Sequence, residues 1–192
     1  MENVIKDATR GNLPPKFTWD YVAGFFDGEG CIDVQKMYPK GAHQGQLYVR
    51  PRLRLCLSIV GLDLLTQLRD QFGGHLCHRK GHGNAKPSVS WEILNEADMR
   101  RFLSRFSDKL VLKREQARLA LWWLENVKGR QKHLHGDICA ARHAFVEELR
   151  AMKQDPQRLS ERATQCIAAL MRQSDLHSDV ETMAETTMAR AA

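Results

Sequence analysis

The run of residues 21–30, Y-V-A-G-F-F-D-G-E-G, restricts the fold of this chain more than any other segment. Its apolar residues predict a short helix with Thr18 as the N-cap, and its last two glycines are favoured where a chain leaves a helix. Asp27 and Glu29 then lie at the C-terminal end, where the helix macrodipole makes each carboxylate unfavourable by about 0.3–1 kcal/mol. A bound cation would remove this conflict, so the turn is a candidate cation site.

Small residues mark one face of the same predicted helix. Gly24 and Gly28 are four residues apart, with Ala23 beside them. Because residues at this spacing share a face, a second helix could approach it closely. The alternative is a buried helix that ends in a glycine-rich turn and whose acids are only solvated.

These ten residues resemble the LAGLIDADG motif of homing endonucleases, and the resemblance extends over most of residues 17–175. The motif occurs once, as in the single-motif members of that family, which act as homodimers. The resemblance implies that two such helices pack side by side at a two-fold interface. The corresponding interface residues here are Ala23, Gly24, Asp27 and Gly28.

The catalytic residues are also implied by this resemblance. The last acid of the motif, Glu29, binds the catalytic divalent metal, Mg²⁺, in a site that Mn²⁺ or Ca²⁺ could occupy. The carbonyl of Gly28 is an additional ligand, whereas Asp27 orients the turn. Lys113 matches a lysine of the catalytic pocket, although the residue alone would suggest only a solvated side chain at the start of a helix.

The family's catalytic pocket also contains a glutamine and an arginine near the end of the second strand. Alignment through the flanking leucine and glycine places Leu57 and Gly61 at those positions. Neither residue can supply the same chemistry. Either a neighbour such as Ser58 substitutes, or the pocket is degraded.

The resemblance therefore implies a metal-dependent enzyme that hydrolyses both strands of a long, pseudo-palindromic DNA target. Two other functions are open at this stage: a DNA-binding regulator that does not cleave, and an RNA maturase that uses the same fold on intron RNA. A third alternative is a decayed protein of a mobile element that folds and dimerises but no longer cuts.

The hydrophobic pattern predicts an α+β domain with helices on one face of an antiparallel sheet. The order α-β-β-α-β-β-α, followed by extra C-terminal helices, is that of the LAGLIDADG fold, whose saddle-shaped sheet lies along DNA. Pro51 interrupts the second strand and predicts a bulge or an edge location there. Strands are predicted at 31–37, 46–59, 75–80 and 87–94, and helices at 21–26, 113–127, 138–152 and 160–171, with two more around Leu68 and Phe102.

The sheet face turned away from the helices is predicted to bind double-stranded DNA. Residues 34–62 contain five Lys or Arg and no acid, and residues 71–91 contain three basic residues, three histidines and no acid. A β-ribbon fits the major groove, where Arg reads guanine and Gln reads adenine. The alternative is a solvated, charged face. The candidate base contacts are Gln35, Gln46, Tyr48, Arg50, Arg52 and Arg54, together with His78, Arg79 and Lys80, whose faces the sequence does not fix; the candidate backbone contacts are Lys153 and Arg158.

Composition is consistent with this interpretation. The 192 residues carry a net charge of +6, which suits a polyanionic partner. They suffice for one domain at 17–173, with a polar lead-in at 1–16 and a disordered tail at 174–192. No run approaches 18 apolar residues, so no membrane partner is expected.

The cysteines and the N-terminal sequence predict where the protein works. Five cysteines without a C-x-x-C spacing indicate reduced thiols. The N-terminal residues argue against a signal peptide. We expect a cytoplasmic location in a bacterium, or the organellar matrix if the protein is organelle-encoded, and not secretion. Zinc at Cys77, His78 and His82 is disfavoured because the spacing matches no closed tetrahedral site.

Overall fold

The computed structural model describes residues 17–38, 47–81, 83, 86–127 and 136–172 of the chain. The predicted lead-in and tail, and the candidates Gln46 and His82, lie outside these residues. Two single 3₁₀ turns, at Ile59–Gly61 and Ser107–Lys109, connect longer elements. In chain order these elements are α1 (Trp19–Glu29), β1 (Gly30–Met37), β2 (Tyr48–Ser58), α2 (Leu62–Phe72), β3 (His75–Arg79), β4 (Ser88–Ile93), α3 (Glu96–Phe106), α4 (Arg114–Asn126), α5 (Gly136–Gln154) and α6 (160–172).

This order confirms the predicted α+β architecture. The four strands form one antiparallel sheet in the order β1-β2-β4-β3, and the helices pack on one face of it. The centre of the core is Trp91 of β4, which contacts Phe102 edge-to-face at 5.6 Å. Its indole N–H donates to the carbonyl of Gly73 at 2.7 Å, so the polar atom of this buried ring is satisfied. None of the helices in the described part of the chain has the length and apolarity of a membrane span.

Local signals position the helix ends as the sequence predicts. Thr18 caps α1 by accepting from the N–H of Tyr21 at 3.2 Å, and Asn95 caps α3 in the same way. Gly73 and Gly74 end α2 with φ of 84° and 83°. These left-handed conformations favour glycine, which explains why α2 ends at this pair.

The β1–β2 ribbon extends beyond the rest of the sheet. β1 pairs with β2 from Gly30–Leu55 to Met37–Tyr48, whereas β4 pairs with β2 only as far as Leu53. Pro51 therefore lies past the last pair with β4, where its missing N–H breaks no ladder on that side. This confirms the predicted edge location, and the register contains no bulge at that point.

Strand register divides the sheet into a core face and an open face. Ile32, Leu53 and Trp91 are fully buried on the core face. His78, whose face the sequence does not fix, pairs with Val89, a core-face residue, and therefore lies on the face opposite the arginines. The open face, named so below, consists of Cys31, Asp33, Gln35, Met37, Tyr48, Arg50, Arg52, Arg54, Cys56, Ser58, His75, Cys77, Arg79, Ser88, Ser90 and Glu92.

The C-terminal helices extend the core. Trp123 of α4 stacks on Phe145 of α5, with ring centroids 4.2 Å apart, while its neighbour Trp122 is only half-buried. The adjacent tryptophans therefore do not share one core position. α6 is tied to α4 because the Glu115 carboxylate accepts from both the N–H and the hydroxyl of Ser160, at 2.9 and 2.8 Å.

Candidate active site and nucleic-acid interface

The C-terminal end of α1 is held by the segment that leads into α4. The Asp27 carboxylate accepts from the backbone N–H of Val111 at 2.6 Å and of Lys113 at 3.0 Å. The Lys113 ammonium donates to the carbonyl oxygen of Asp27. Both groups of Asp27 are thus engaged within the protomer, which agrees with the prediction that it orients the turn.

Glu29 differs from Asp27 in having no such partners. Its side chain is exposed, and within the described ranges its carboxylate takes part in no hydrogen bond or ion pair. The last turn of α1 contains no basic residue, so the dipole conflict is not relieved by the helix itself. The carboxylate is therefore available to an external cation.

The α1 surface requires a correction to the predicted dimer interface. Ala23 is 1% exposed and Asp27 is 8% exposed, so both side chains are buried in their own protomer. The prediction was wrong for these two side chains, because they lie on the core side of the helix. Gly24 and Gly28 lie on the outer side, where an added Cβ would meet no atom within 4 Å.

An exposed apolar surface surrounds these two glycines. Tyr21 lies on the same side of α1 and is 48% exposed. Val111 and Leu112, held next to α1 through Asp27, are 76% and 57% exposed. We call Tyr21, Gly24, Phe25, Gly28, Val111 and Leu112 the α1 patch.

The catalytic-pocket positions that depart from the family are apolar in the structure. Leu57 pairs with Val89 on the core face. The space beside Gly61 is filled by the Leu57 side chain, 2.5 Å from where a Cβ would lie. Ser58 instead lies on the open face, paired with Ser88, so it is the polar residue nearest these positions along β2.

The open face is not acid-free, contrary to the interpretation of the sequence. Asp33 lies opposite Arg52, and its two oxygens accept from Nε and Nη2 of that arginine at 2.7 and 2.9 Å. Arg54 approaches the same carboxylate at 3.4 Å. Arg52 and Arg54, which were predicted to contact DNA, are therefore bound by Asp33. This acid immediately precedes the acid-free stretch 34–62.

A second acid, Glu92, lies in the middle of the open face. It is 5% exposed, accepts from the Ser90 hydroxyl at 2.8 Å, and lies 3.8 Å from Nη1 of Arg52. Nε2 of His75 lies 3.9 Å from the same carboxylate oxygen, Oε2, that Arg52 approaches. The Asp33 hydrogen bonds, followed by the charges of Asp33 and Glu92, raise the pKa of Arg52 despite its partial burial.

Comparison with known proteins identifies the family. A family model described as LAGLIDADG endonuclease matches residues 22–123, more than half of the chain. The chain belongs to the LAGLIDADG endonuclease family. No curated protein matches the sequence.

Solved structures of LAGLIDADG homing endonucleases share the fold. The chain resembles I-CvuI in complex with its target in the presence of calcium, with a TM-score of 0.58 and 20% identity over 79% of this chain and 93% of that one. It also resembles the archaeal intron-encoded I-Vdi141I complexed with DNA, with a TM-score of 0.52 and 17% identity over 82% and 96% of the two chains. I-GzeII in complex with a DNA target gives a TM-score of 0.51 and 18% identity, over 77% of this chain and 50% of that one.

The LAGLIDADG match ends before α5, yet α5 supports the β1–β2 ribbon. Arg142 is 5% exposed, donates to the carbonyl of Leu47 at 2.9 Å, and lies 4.4 Å from the centre of the Tyr48 ring. Burial lowers the pKa of this guanidinium. A cavity of about 460 Å³ is lined by Arg142, by Trp123 and by residues of the ribbon such as Tyr48. Sequence reasoning missed Arg142 because only tertiary contacts show its role.

The remaining basic candidates for DNA contact differ in whether their side chains are already bound within the protein. Lys153 is exposed on α5 and contacts the thiol of Cys31 at 3.2 Å, at the margin of the open face. Arg158 makes two hydrogen bonds of 2.8 Å to Glu148, which raise its pKa. Arg79 lies on the open face and Lys80 follows it, exposed, in the connection to β4. Their contacts with DNA remain predictions.

Proposed function

We propose that this LAGLIDADG protein is a metal-dependent, site-specific double-strand DNA endonuclease that acts as a homodimer on a long pseudo-palindromic target. The observation that carries the proposal is the state of Glu29. It is an exposed carboxylate without a partner in the described chain, at the end of a helix whose outer face is bare.

The α1 patch supports the homodimer. A patch of glycines and exposed apolar side chains suits an isologous contact, in which the same surface of two protomers meets around a two-fold axis. Because Gly28 and Glu29 continue the same helix, this contact would bring the two Glu29 side chains close together. Each protomer would then serve one DNA strand.

The residues present fit a hard divalent cation. Glu29 supplies a carboxylate and Gly28 a backbone carbonyl, and magnesium is commonly held by one or two carboxylates together with water and phosphate oxygens. No group of three or more His, Cys, Asp or Glu side chains suitable for a metal forms within the described part of one protomer, so the ligand set would be completed by the second copy and by DNA. Bound Mg²⁺ would supply activation of water and stabilisation of the leaving oxygen.

Lys113 has a clear role in this arrangement. By donating to the Asp27 carbonyl, its ammonium offsets the negative end of the α1 dipole next to Glu29. The same contact fixes the last turn of the helix. We propose that Lys113 contributes positive charge to the reaction while holding Glu29 in position.

The open face would lie along the major groove. Arg50 and Gln35 form a hydrogen-bonded pair at 2.6 Å, next to the outermost pair, Met37 and Tyr48. Arg–guanine and Gln–adenine contacts would provide base recognition from this ribbon. Lys153, and Arg158 after release from Glu148, would contact the phosphate backbone and position the protein without specifying sequence.

The experiment begins with selection from a library of random DNA duplexes by binding in Ca²⁺, followed by incubation of the selected duplexes with Mg²⁺. We expect an enriched two-fold consensus that is cut on both strands, and a dimer by analytical ultracentrifugation. Binding without cutting would support the regulator, and a preference for structured intron RNA would support the maturase. No enriched sequence at all would support a decayed protein, which the apolar Leu57 and Gly61 positions would then explain.

We propose that the protein works where thiols stay reduced, in a bacterial cytoplasm or an organellar matrix. All five cysteines are free in the structure, which supports this location.

A further inference from the structure

The donors of Arg52 are already used within the protein. Its Nε and Nη2 atoms both donate to Asp33, at 2.7 and 2.9 Å, and its Nη1 atom faces Glu92 at 3.8 Å. Guanine recognition needs two neighbouring donors of an arginine to be free for O6 and N7. The Nε–Nη2 edge of Arg52 is therefore occupied by a carboxylate in the position where a base would bind.

Charge is balanced in this part of the open face. Asp33 and Glu92 together match Arg52 and Arg54, which lie within 3.8 Å of one or the other. Arg50, further out on the ribbon, is paired with the neutral Gln35 instead. Phosphate attraction is thus weak at the centre of the face, so recognition there must depend on hydrogen bonds to base edges.

Asp33 retains the capacity for one further hydrogen bond. An ionised carboxylate offers about four acceptor positions. Arg52 uses two of them, and Arg54, at 3.4 Å, occupies the direction of a third. The side chain is 17% exposed, so a base edge can reach it. In the major groove both cytosine N4 and adenine N6 are amino donors, but adenine places the N7 acceptor beside its donor, which a carboxylate cannot pair with, so cytosine is the better match.

We propose that Asp33 is a specificity-determining residue that accepts a hydrogen bond from a cytosine N4 amino group in each half-site, with Arg52 holding its carboxylate in place. This inference rests on the proposed DNA recognition by the open face. The role of Arg52 then differs from the one expected from the sequence: it holds Asp33 in place and does not itself contact guanine. The wild-type protein should prefer cytosine at one position of each half-site by roughly 5- to 150-fold.

The variant Asp33→Asn distinguishes a direct contact between Asp33 and a base from a purely structural role of this residue. The amide turns an acceptor pair into one acceptor and one donor, so the cytosine preference should disappear at that single position. Arg52 would also be released and become free to neutralise a phosphate. Binding to an unrelated duplex should therefore tighten, and the slope of log K against log salt should steepen by about 0.9 for each protomer. A purely structural role would weaken binding at every position and would not steepen the slope.

The test is selection from a random duplex library with wild type, Asp33→Asn, Arg52→Met and the control Asp98→Asn. Asp98 pairs with Arg101 at 3.0 Å on α3 and is not part of the open face, so the control makes the same change at an ion-paired aspartate outside the proposed DNA contact. We expect Asp33→Asn and Arg52→Met to lose the cytosine preference, only Asp33→Asn to steepen the salt slope, and Asp98→Asn to match wild type. Thermal unfolding of each variant shows whether it is folded.

The outcomes distinguish this inference from the proposed function. If wild type enriches no sequence, DNA recognition itself is refuted, and the role of Asp33 with it. If wild type enriches a consensus that Asp33→Asn leaves unchanged or weakens uniformly, only the role of Asp33 is refuted. If Arg52→Met removes the preference while Asp33→Asn keeps it, Arg52 is the reader and the inference is wrong. Should Asp33→Asn fail to fold, Asp33→Ala takes its place: loss of the cytosine preference in Asp33→Ala would support the inference, and a preference retained in Asp33→Ala or in Arg52→Met would refute it.

Discussion

Glu29 and Asp33 are carboxylates only four residues apart, yet their surroundings are opposite. Glu29 ends α1, is exposed, and has no partner within the described residues. Asp33 points to the open face from β1 and is held by Arg52 at 2.7 Å and by Arg54 at 3.4 Å. The oxygens of Glu29 are therefore free to accept a cation from outside the protein. Most acceptor positions of Asp33 are already used by arginine side chains.

This difference shows how one short segment can combine chemistry and recognition. A carboxylate that must bind a metal cannot also be neutralised by arginine, because the two cations would compete for the same oxygens. A carboxylate that must read a base benefits from being fixed, because less freedom is lost on binding. The change from helix to strand at Gly30 separates the two side chains and gives each its own environment.

The largest expected effect comes from removing the free carboxylate. Glu29→Gln should abolish Mg²⁺-dependent cleavage, by on the order of 10³-fold or more for each strand, since a group that stabilises the reacting charge is lost. Affinity for the selected duplex should persist. Single-turnover cleavage and binding assays measure the two separately.

The matched control is Glu125→Gln. Glu125 is an exposed glutamate in the last turn of α4, so the same change is made near another helix C-terminus. Cleavage by this control should equal that of wild type. Equal loss in both variants would show that Glu29 has no special part in the reaction.

The second effect concerns the pairing of two Glu29 side chains. Gly24→Leu adds a side chain where the protomer offers no atom within 4 Å of the Cβ, so the fold should be unharmed. At a two-fold interface the change acts twice, and overpacking costs about 1–3 kcal/mol for each copy. Sedimentation should show monomers that neither bind the long target nor cut it.

Ser104→Leu serves as the control because it places a leucine on the exposed surface of α3. It should leave the dimer intact. If Gly24→Leu also remains dimeric and active, the α1 patch is not the interface.

The third effect concerns the contact of α5 with the outer end of the β1–β2 ribbon, which also carries Asp33. Arg142→Ala leaves the Leu47 carbonyl without its donor and removes the contact with the Tyr48 ring, which should lower the free energy of unfolding by about 1–3 kcal/mol. Arg150→Ala, on the same helix, removes only an exposed pair with Glu147. Such pairs contribute about 0.2–1 kcal/mol at most, so urea denaturation should separate the two variants clearly.

The smallest effect concerns a third carboxylate, that of Glu115, which is half-buried and is bonded to groups of its own protomer. Burial raises its pKa, but hydrogen bonds from Ser160 and the charge of Arg118 outweigh this, so its pKa is lowered in the folded state. Its stabilising contribution is therefore present above the unfolded pKa of about 4.3 and is lost as the pH falls through the lower folded value. Glu115→Gln should cost about 0.5–1.5 kcal/mol near neutral pH.

The pH dependence provides the check on Glu115. The stability difference between wild type and Glu115→Gln should shrink as the pH falls below about 4. Denaturant titrations at neutral and acidic pH measure it. A difference that is constant across this range would show that the charge of Glu115 contributes nothing.

Much of the fold could be predicted from the sequence because its signals are local. Thr18, Asn95 and the glycine pair after α2 mark helix ends through their own backbone preferences. The alternation of β2 predicted which arginines share one face. Glu29 was identifiable for the same reason, since its conflict with the helix dipole depends only on neighbouring residues.

The features that were missed depend on register and tertiary contact. The face of His78 could not be fixed from the sequence because a shift of one residue reverses a strand's faces. Ala23 and Asp27 were assigned to the wrong side of α1 because apolar and small residues surround that short helix. The Asp33–Arg52 pair is formed across strands, 19 positions apart in the sequence, and no local pattern reveals it.

Mixed dimers test the central claim, that each protomer contributes one Glu29 to the cutting of one strand. Wild-type and Glu29→Gln protomers are combined with different affinity tags, and the purified heterodimer is incubated with the selected duplex, labelled on each strand, in Mg²⁺. If each Glu29 serves one strand, we expect that one strand is nicked and the other stays intact. Cleavage of both strands by the heterodimer, or undiminished cleavage by the Glu29→Gln homodimer, would contradict it.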